Sequence, residues 1–154
     1  MALDFNPNTG LLEPGEHKVT LKELEENFSF SDKRKQLIGK LKDIINVLKQ
    51  INCERLYVDG SFATEKFEPG DIDVCWELST DPIIKTQQLR DLNRIEPLFF
   101  LRSDSDRDEL KAKYNADIFP ANVREGSTGL MFKDFFQKDK DTNSPKGILL
   151  IELI

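Results

Sequence analysis

Asp71-Ile72-Asp73-Val74 is the stretch that most restricts what this chain can fold into. In an extended strand successive side chains point to opposite faces, so the two aspartates share one face and the two apolar residues the other. Adjacent like charges on one sheet face repel, and such a pair is tolerated at a solvated edge or where a divalent cation neutralises it. A second strand, predicted over 55–59, precedes it and ends in Gly60-Ser61; Pro69 and Gly70 close the segment between the two. A glycine there lets phosphate oxygens approach the backbone amides, and the serine hydroxyl can donate a further hydrogen bond.

The rest of the chain supplies a setting for this pair. Ser31 is a good N-cap, and Leu37, Ile38, Leu41, Ile44, Ile45 and Leu48 follow at helical spacing, which predicts a helix over 31–51. Its other face carries Lys33, Arg34, Lys35, Lys40, Lys42 and Lys49 and reads as a solvated face. A short helix is predicted over 20–27, another from Asp81-Pro82 to 92, and a third over 103–114. Further strands are predicted over 71–78, 116–119 and 147–153, the last preceded by a polar loop over 137–146. Residues 1–20, punctuated by Pro7, Gly10, Pro14 and Gly15, read as an irregular arm. Strands alternating with helices predict an α/β or α+β domain, a small mixed sheet with flanking helices.

Composition excludes several kinds of chemistry. At 154 residues, 38% hydrophobic and 32% charged, the chain reads as one folded domain over 1–154. Cys53 and Cys75 lack metal-site spacing and read as reduced thiols. His17 is the single histidine, so neither a closed zinc site nor an imidazole-dependent nucleophile is readily built, and the chemistry must run on carboxylates. A net charge of −6 argues against non-specific binding of duplex DNA, which draws on many basic contacts. The apolar run at 147–154 is too short for a bilayer and the first residues lack a secretory pattern, so no membrane association and a cytoplasmic location are expected.

Gly-Ser, nine residues, then Asp-Ile-Asp-Val resembles the signature of polymerase-beta-like nucleotidyltransferases. The resemblance implies a minimal nucleotidyltransferase fold in which Asp71 and Asp73 bind Mg²⁺ (or Mn²⁺) and a third carboxylate comes from a later strand. Asp117, in Asn115-Ala116-Asp117-Ile118-Phe119, is the candidate. It further implies a nucleoside triphosphate substrate, attack on its α-phosphate and departure of pyrophosphate. Gly60, Ser61, Lys66, Lys111 and Lys113 are the candidate triphosphate contacts, with Arg102. Leu12-Glu13-Pro14-Gly15-Glu16-His17, Lys111-Ala112-Lys113-Tyr114 and Ile118-Phe119-Pro120-Ala121 are similar to segments of a family of small, largely uncharacterised bacterial proteins with such a core. Asp59 departs from the superfamily, which usually has an apolar residue before Gly-Ser; an acid there must cap a turn or bind metal.

Each residue also has a plainer reading. Ser61 can cap a turn, Asp117 can form a salt bridge with Lys111 or Lys113, and Trp76, Phe99-Phe100 and Phe135-Phe136 can be core. The functional expectation is an enzyme moving a nucleoside monophosphate from a triphosphate to a hydroxyl on a protein or an RNA end. Small relatives of this kind suggest a protein partner in a toxin-antitoxin or phage-defence pair. The rivals are a binding module with a weakened site, an antitoxin or assembly subunit, and a phosphohydrolase using the same carboxylates on water.

Overall fold

The computed structural model describes residues 5–64, 66, 69–138 and 144–154, apart from the side chain of Ser61. The strongest sequence period becomes the longest helix, α2 (Asp32–Gln50), preceded by α1 (Leu21–Phe28). Ser31 accepts the Arg34 amide at the start of α2, and Thr20 and Glu23 form a capping box at the start of α1. Asp81 caps α3 (Pro82–Ile95) by accepting the amides of Ile83 and Ile84. Ser103 caps α4 (Asp104–Tyr114), which ends where Asn115 turns left-handed.

Strands β1 (Gly15–Lys18), β2 (Arg55–Asp59), β3 (Ile72–Trp76), β4 (Ala116–Pro120) and β5 (Gly147–Glu152) form one sheet in the order β1-β5-β2-β3-β4. β2 runs antiparallel to β3 and β5, whereas β3–β4 and β1–β5 are parallel. The predicted mixed sheet with flanking helices is therefore what the chain adopts, an α+β fold.

The alternation in β2 and β3 sorts the molecule into two unequal faces. Leu56, Val58, Ile72, Val74 and Trp76 point into the main core with Leu37, Leu41, Ile44, Leu92, Leu110 and Phe28 from the helices. The opposite face has a small core of Tyr57, Cys75, Ala121 and Ile148, against which half-buried Phe119, Phe132 and Phe136 pack. The short helix α5 (Phe132–Phe135) supplies the lid of this second layer, with Phe132 stacked on Phe119 at 4.6 Å between ring centroids. Cys53 and Cys75 are buried and unbridged. No helix among the described residues is long and apolar enough to cross a membrane.

Two expectations need correction, and one short helix, α5, has no counterpart in the sequence reading. Gly15–Lys18, assigned to an irregular arm, is the edge strand β1: its Gly-Glu-His-Lys sequence has no apolar alternation, and backbone pairing with β5 alone defines it. Arg34, assigned to a solvated face, is fully buried because Phe62, Thr64 and Lys66 close over it and accept its hydrogen bonds. α5 has no long period to announce it; its four residues are held by packing on β4.

Candidate active site

Antiparallel pairing sets Asp59 opposite Asp73, and parallel pairing sets Asp73 opposite Asp117. Directly opposed residues share a face, so three aspartates from three neighbouring strands stand in a row, on the side away from the main core. Asp71, two residues before Asp73, joins the same face. Asp71, Asp73 and Asp117 each offer a carboxylate oxygen within 4.8 Å of the others. The fold thus brings together the three carboxylates that the sequence singles out.

Gly60 follows β2 directly and has φ +76, a conformation that favours glycine. A Cβ at this position would lie 2.3 Å from Asp73 Oδ2. Two independent constraints therefore demand glycine, and the turn's backbone lies against the central carboxylate of the row. The turn continues as a single 3₁₀ turn, Gly60–Ala63. The Ser61 hydroxyl, a predicted phosphate contact, lies outside the described atoms.

Helix α4 presents two cations to the row from positions four residues apart on one face. Arg107 donates to both oxygens of Asp117, from Nε at 2.9 Å and from Nη2 at 3.1 Å. Lys111 Nζ bridges Asp117 at 3.4 Å and Asp71 at 3.5 Å. Lys113, also expected near phosphate, points elsewhere: it pairs with buried Glu96 at 2.5 Å, an acid that also accepts from the Tyr114 hydroxyl. Lys66 is exposed, and its carbonyl is taken by Arg34. Arg102 contacts Asn93 and lies over the Phe100 ring.

The acids titrate differently according to these neighbours. Burial pushes the Asp73 carboxyl up to about 6, helped by Asp71 and Asp117 and opposed by Lys111 and Lys146. Asp59 is pushed up to about 7, again chiefly by burial, with Lys146 and the Gly60 amide pulling down and Asp73 pushing up. Burial would raise Asp117 as well, but the Arg107 fork and Lys111 outweigh it and hold the group below its ordinary value. Asp59 Oδ1 is buried with no hydrogen-bond partner among the described residues. Asp59, Asp71, Asp73 and Asp117 outnumber the facing cations Arg107, Lys111 and Lys146 by one.

An all-oxygen donor set carrying excess negative charge suits a hard divalent cation such as Mg²⁺ or Mn²⁺. The raised Asp73 carboxyl and the Asp59 oxygen without a hydrogen bond are the observations that make the fit, since Lys111 and Lys146 only partly offset the burial of these two acids.

Arg107, Lys146 and Arg34 escaped the sequence reading. Arg107 had a usable signal, because it lies one helical turn before Lys111 on the helix leading into the Asp117 strand. Lys146 had none, since its place depends on where the loop before β5 returns.

Comparison with known proteins gives a family without an assigned activity. The DUF6932 family, described as a family of unknown function, matches residues 3–152, and the chain belongs to it. No curated protein and no solved structure matches the chain.

Proposed function

We propose that this DUF6932 protein is a divalent-cation-dependent nucleotidyltransferase, moving a nucleoside monophosphate from a nucleoside triphosphate to a hydroxyl on a protein or an RNA end. The observation that carries the reading is the convergence of Asp71, Asp73 and Asp117 beside the Gly60 turn. The likeness of Gly60-Ser61 and Asp71-Ile72-Asp73-Val74 to the polymerase-beta-like signature supports it.

Asp71 and Asp73 would hold Mg²⁺ or Mn²⁺, with Asp117 completing the set. Such an ion, when bound, neutralises charge on the transferring phosphate and lowers the pKa of the acceptor hydroxyl. Gly60 lets the backbone of the turn lie directly against Asp73, where a Cβ would meet the carboxylate, so the turn's amides stand beside the acids that would hold the ion. Arg107 fixes the plane of the Asp117 carboxylate by its two-point grip. Lys111 has a half-exposed side chain and bridges two acids at more than 3.3 Å, so it can pass from carboxylate to phosphate at little cost. The resemblance suggests a protein partner, in a toxin-antitoxin or phage-defence setting.

The same two cations favour a second reading, a binding module. Arg107 and Lys111 already neutralise Asp117, so the row can stand as a structural ion-pair network. Labelled nucleoside triphosphates, cell extract and Mg²⁺ separate the two. Label should move to a protein or RNA with release of pyrophosphate, and Asp71→Asn/Asp73→Asn should lower transfer on the order of 10³-fold while circular dichroism is unchanged. Full transfer or full biological activity in the double variant would exclude the enzyme reading. Release of phosphate or monophosphate without labelling of an acceptor would mark a phosphohydrolase.

A further inference from the structure

Asp59 and Lys146 form a pair at the β2 end of the acidic row, outside the three-carboxylate set. Asp59 is 2% exposed, and its Oδ1 has no hydrogen-bond partner among the described residues. Lys146 Nζ lies 3.6 Å from that oxygen, an ionic contact too long to be a hydrogen bond. The Lys146 side chain is itself only 13% exposed. Burying two charges without joining them by a hydrogen bond is costly, and in a packed interior it persists where something else uses the groups.

Lys146 enters from a fixed base. Its amide donates to the Gln137 carbonyl, and the next amide, Gly147, donates to Leu12. A Cβ on Gly147 would come within 2.1 Å of the Glu13 carbonyl, so the backbone there is packed without slack.

The cations of the row are committed to different degrees. Arg107 makes two hydrogen bonds to Asp117, and Lys111 bridges two acids. Lys146 has Asp59 as its single ion-pair partner among the described residues. An ammonium has three donors, and one oxygen at 3.6 Å leaves them without a hydrogen bond among the described residues. Because Asp59 stands opposite Asp73 next to Gly60, those donors lie at the row, beside the turn whose backbone packs on Asp73.

We infer that Lys146 is a polyphosphate-binding residue of this site and that Asp59 is the residue that positions it. The inference rests on the reading that Asp71 and Asp73 hold a divalent cation. A di- or triphosphate chain bridging that cation takes the Lys146 donors on its non-bridging oxygens. Little bonding is lost when the ammonium turns, since its contact with Asp59 is Coulombic and persists over the added distance. This also accounts for the acid before Gly-Ser: Asp59 neither caps the turn through its side chain nor belongs to the three-acid cluster, but holds a lysine that arrives from a distant loop.

The test is calorimetric titration of the whole chain with Mn²⁺ alone, then with inorganic tripolyphosphate in the presence of excess Mg²⁺. Lys146→Gln should bind Mn²⁺ at least as well as wild type and lose roughly tenfold or more in tripolyphosphate affinity. Lys146→Arg should recover most of that loss, and Asp59→Asn should show a smaller loss with the lysine intact. Equal tripolyphosphate affinity in wild type and Lys146→Gln overturns the inference, as does wild type that binds Mn²⁺ but no tripolyphosphate. If Lys146→Gln fails to fold, Lys146→Arg and Asp59→Asn decide: equal affinity in wild type and Asp59→Asn overturns the positioning role. Wild type that binds no Mn²⁺ at millimolar concentration strikes instead at the cation reading on which the inference stands.

Discussion

Arg34 and the acidic row are both charge buried inside one small domain, and the protein treats them in opposite ways. Arg34 is wholly enclosed, yet Nη1 donates to the Phe62 carbonyl at 2.7 Å, Nη2 to Thr64 at 2.7 Å and Lys66 at 2.5 Å, and Nε to Lys66 at 2.9 Å. The guanidinium also lies over the ring of Phe30 at 4.2 Å and of Phe62 at 5.0 Å. Burial lowers its pKa only to about 10, so it stays charged at neutral pH. Asp59 and Asp73, by contrast, are pushed to about 7 and about 6, into the range where a carboxylate hesitates between its two forms. A buried charge with its bonds met fixes the backbone around it, whereas one with bonds unmet stays costly and is pushed toward its neutral form. The two regions are close in sequence: Arg34 holds the carbonyls of Phe62, Thr64 and Lys66, and Gly60 and Asp71 on either side lie at the acidic row.

The comparison breaks first if Arg34 proves dispensable. Arg34→Met removes the guanidinium donors from the Phe62, Thr64 and Lys66 carbonyls; leaving the buried Phe62 acceptor unmet costs about 1–3 kcal/mol, and the part-buried Thr64 and Lys66 contacts add less. A loss of about 3 kcal/mol or more in urea unfolding is expected. Arg34→Lys should recover only part of it, because a single ammonium cannot match a fork aimed at separate carbonyls. A loss under about 1 kcal/mol would mean that Phe62, Thr64 and Lys66 keep their places without the arginine.

Why the sequence disclosed one region and not the other follows from the range of the signals. Asp71 and Asp73 are two apart in a strand, so period two places them on one face without reference to the rest of the fold. Asp117 needed one further step, a parallel neighbour, which a strand following a helix supplies. Boundaries of α2 and β2 were legible for the same local reason: a cap, a run of period 3.6 and a glycine. Arg34 was not, because its burial is decided by a segment 28 to 32 residues away, and on the helix itself it stands among lysines that do face solvent. β1 lacks an apolar alternation since an edge strand needs only backbone partners, and Lys146 reaches Asp59 through chain return rather than local pattern.

The pH dependence of stability should sharpen the contrast. Asp59 and Asp73 bind protons more tightly folded, at about 7 and about 6, than a free aspartate does near 3.8. Between roughly pH 4 and 7 the folded chain therefore carries more protons than the unfolded one, and these two groups make stability rise as pH falls through that window. The slope per carboxyl is at most about 1.4 kcal/mol per pH unit. Asp117 works the other way, since its lowered value contributes stability above the ordinary carboxylate pKa that is lost on acidification. The difference in unfolding free energy between wild type and Asp59→Asn/Asp73→Asn, followed from pH 4 to 8, isolates the first effect. Millimolar Mg²⁺ should flatten it by stabilising the ionised row. A pH-independent difference would show that both carboxyls are ordinary acids and that the row holds no unmet charge.

Lys111 gives the smallest effect and the finest distinction, because it belongs to the acidic row without being locked into it. Its side chain is 43% exposed and reaches Asp71 and Asp117 at 3.5 and 3.4 Å, so an ion pair of this kind contributes under about 1 kcal/mol to stability. In the same position it competes with a divalent cation for two of the three candidate ligands. Lys111→Ala should therefore leave unfolding nearly unchanged and tighten Mn²⁺ binding by roughly fivefold, the worth of about 1 kcal/mol of repulsion at a half-solvated site. Its effect on a triphosphate should have the opposite sign, since the same ammonium is then lost as a phosphate contact. Titrating Mn²⁺ and MgATP into one preparation of the variant reads both signs together. If Lys111 were instead a structural tie like Arg34, the variant would lose stability and bind Mn²⁺ no better, and the row would have to be regarded as closed by its own cations.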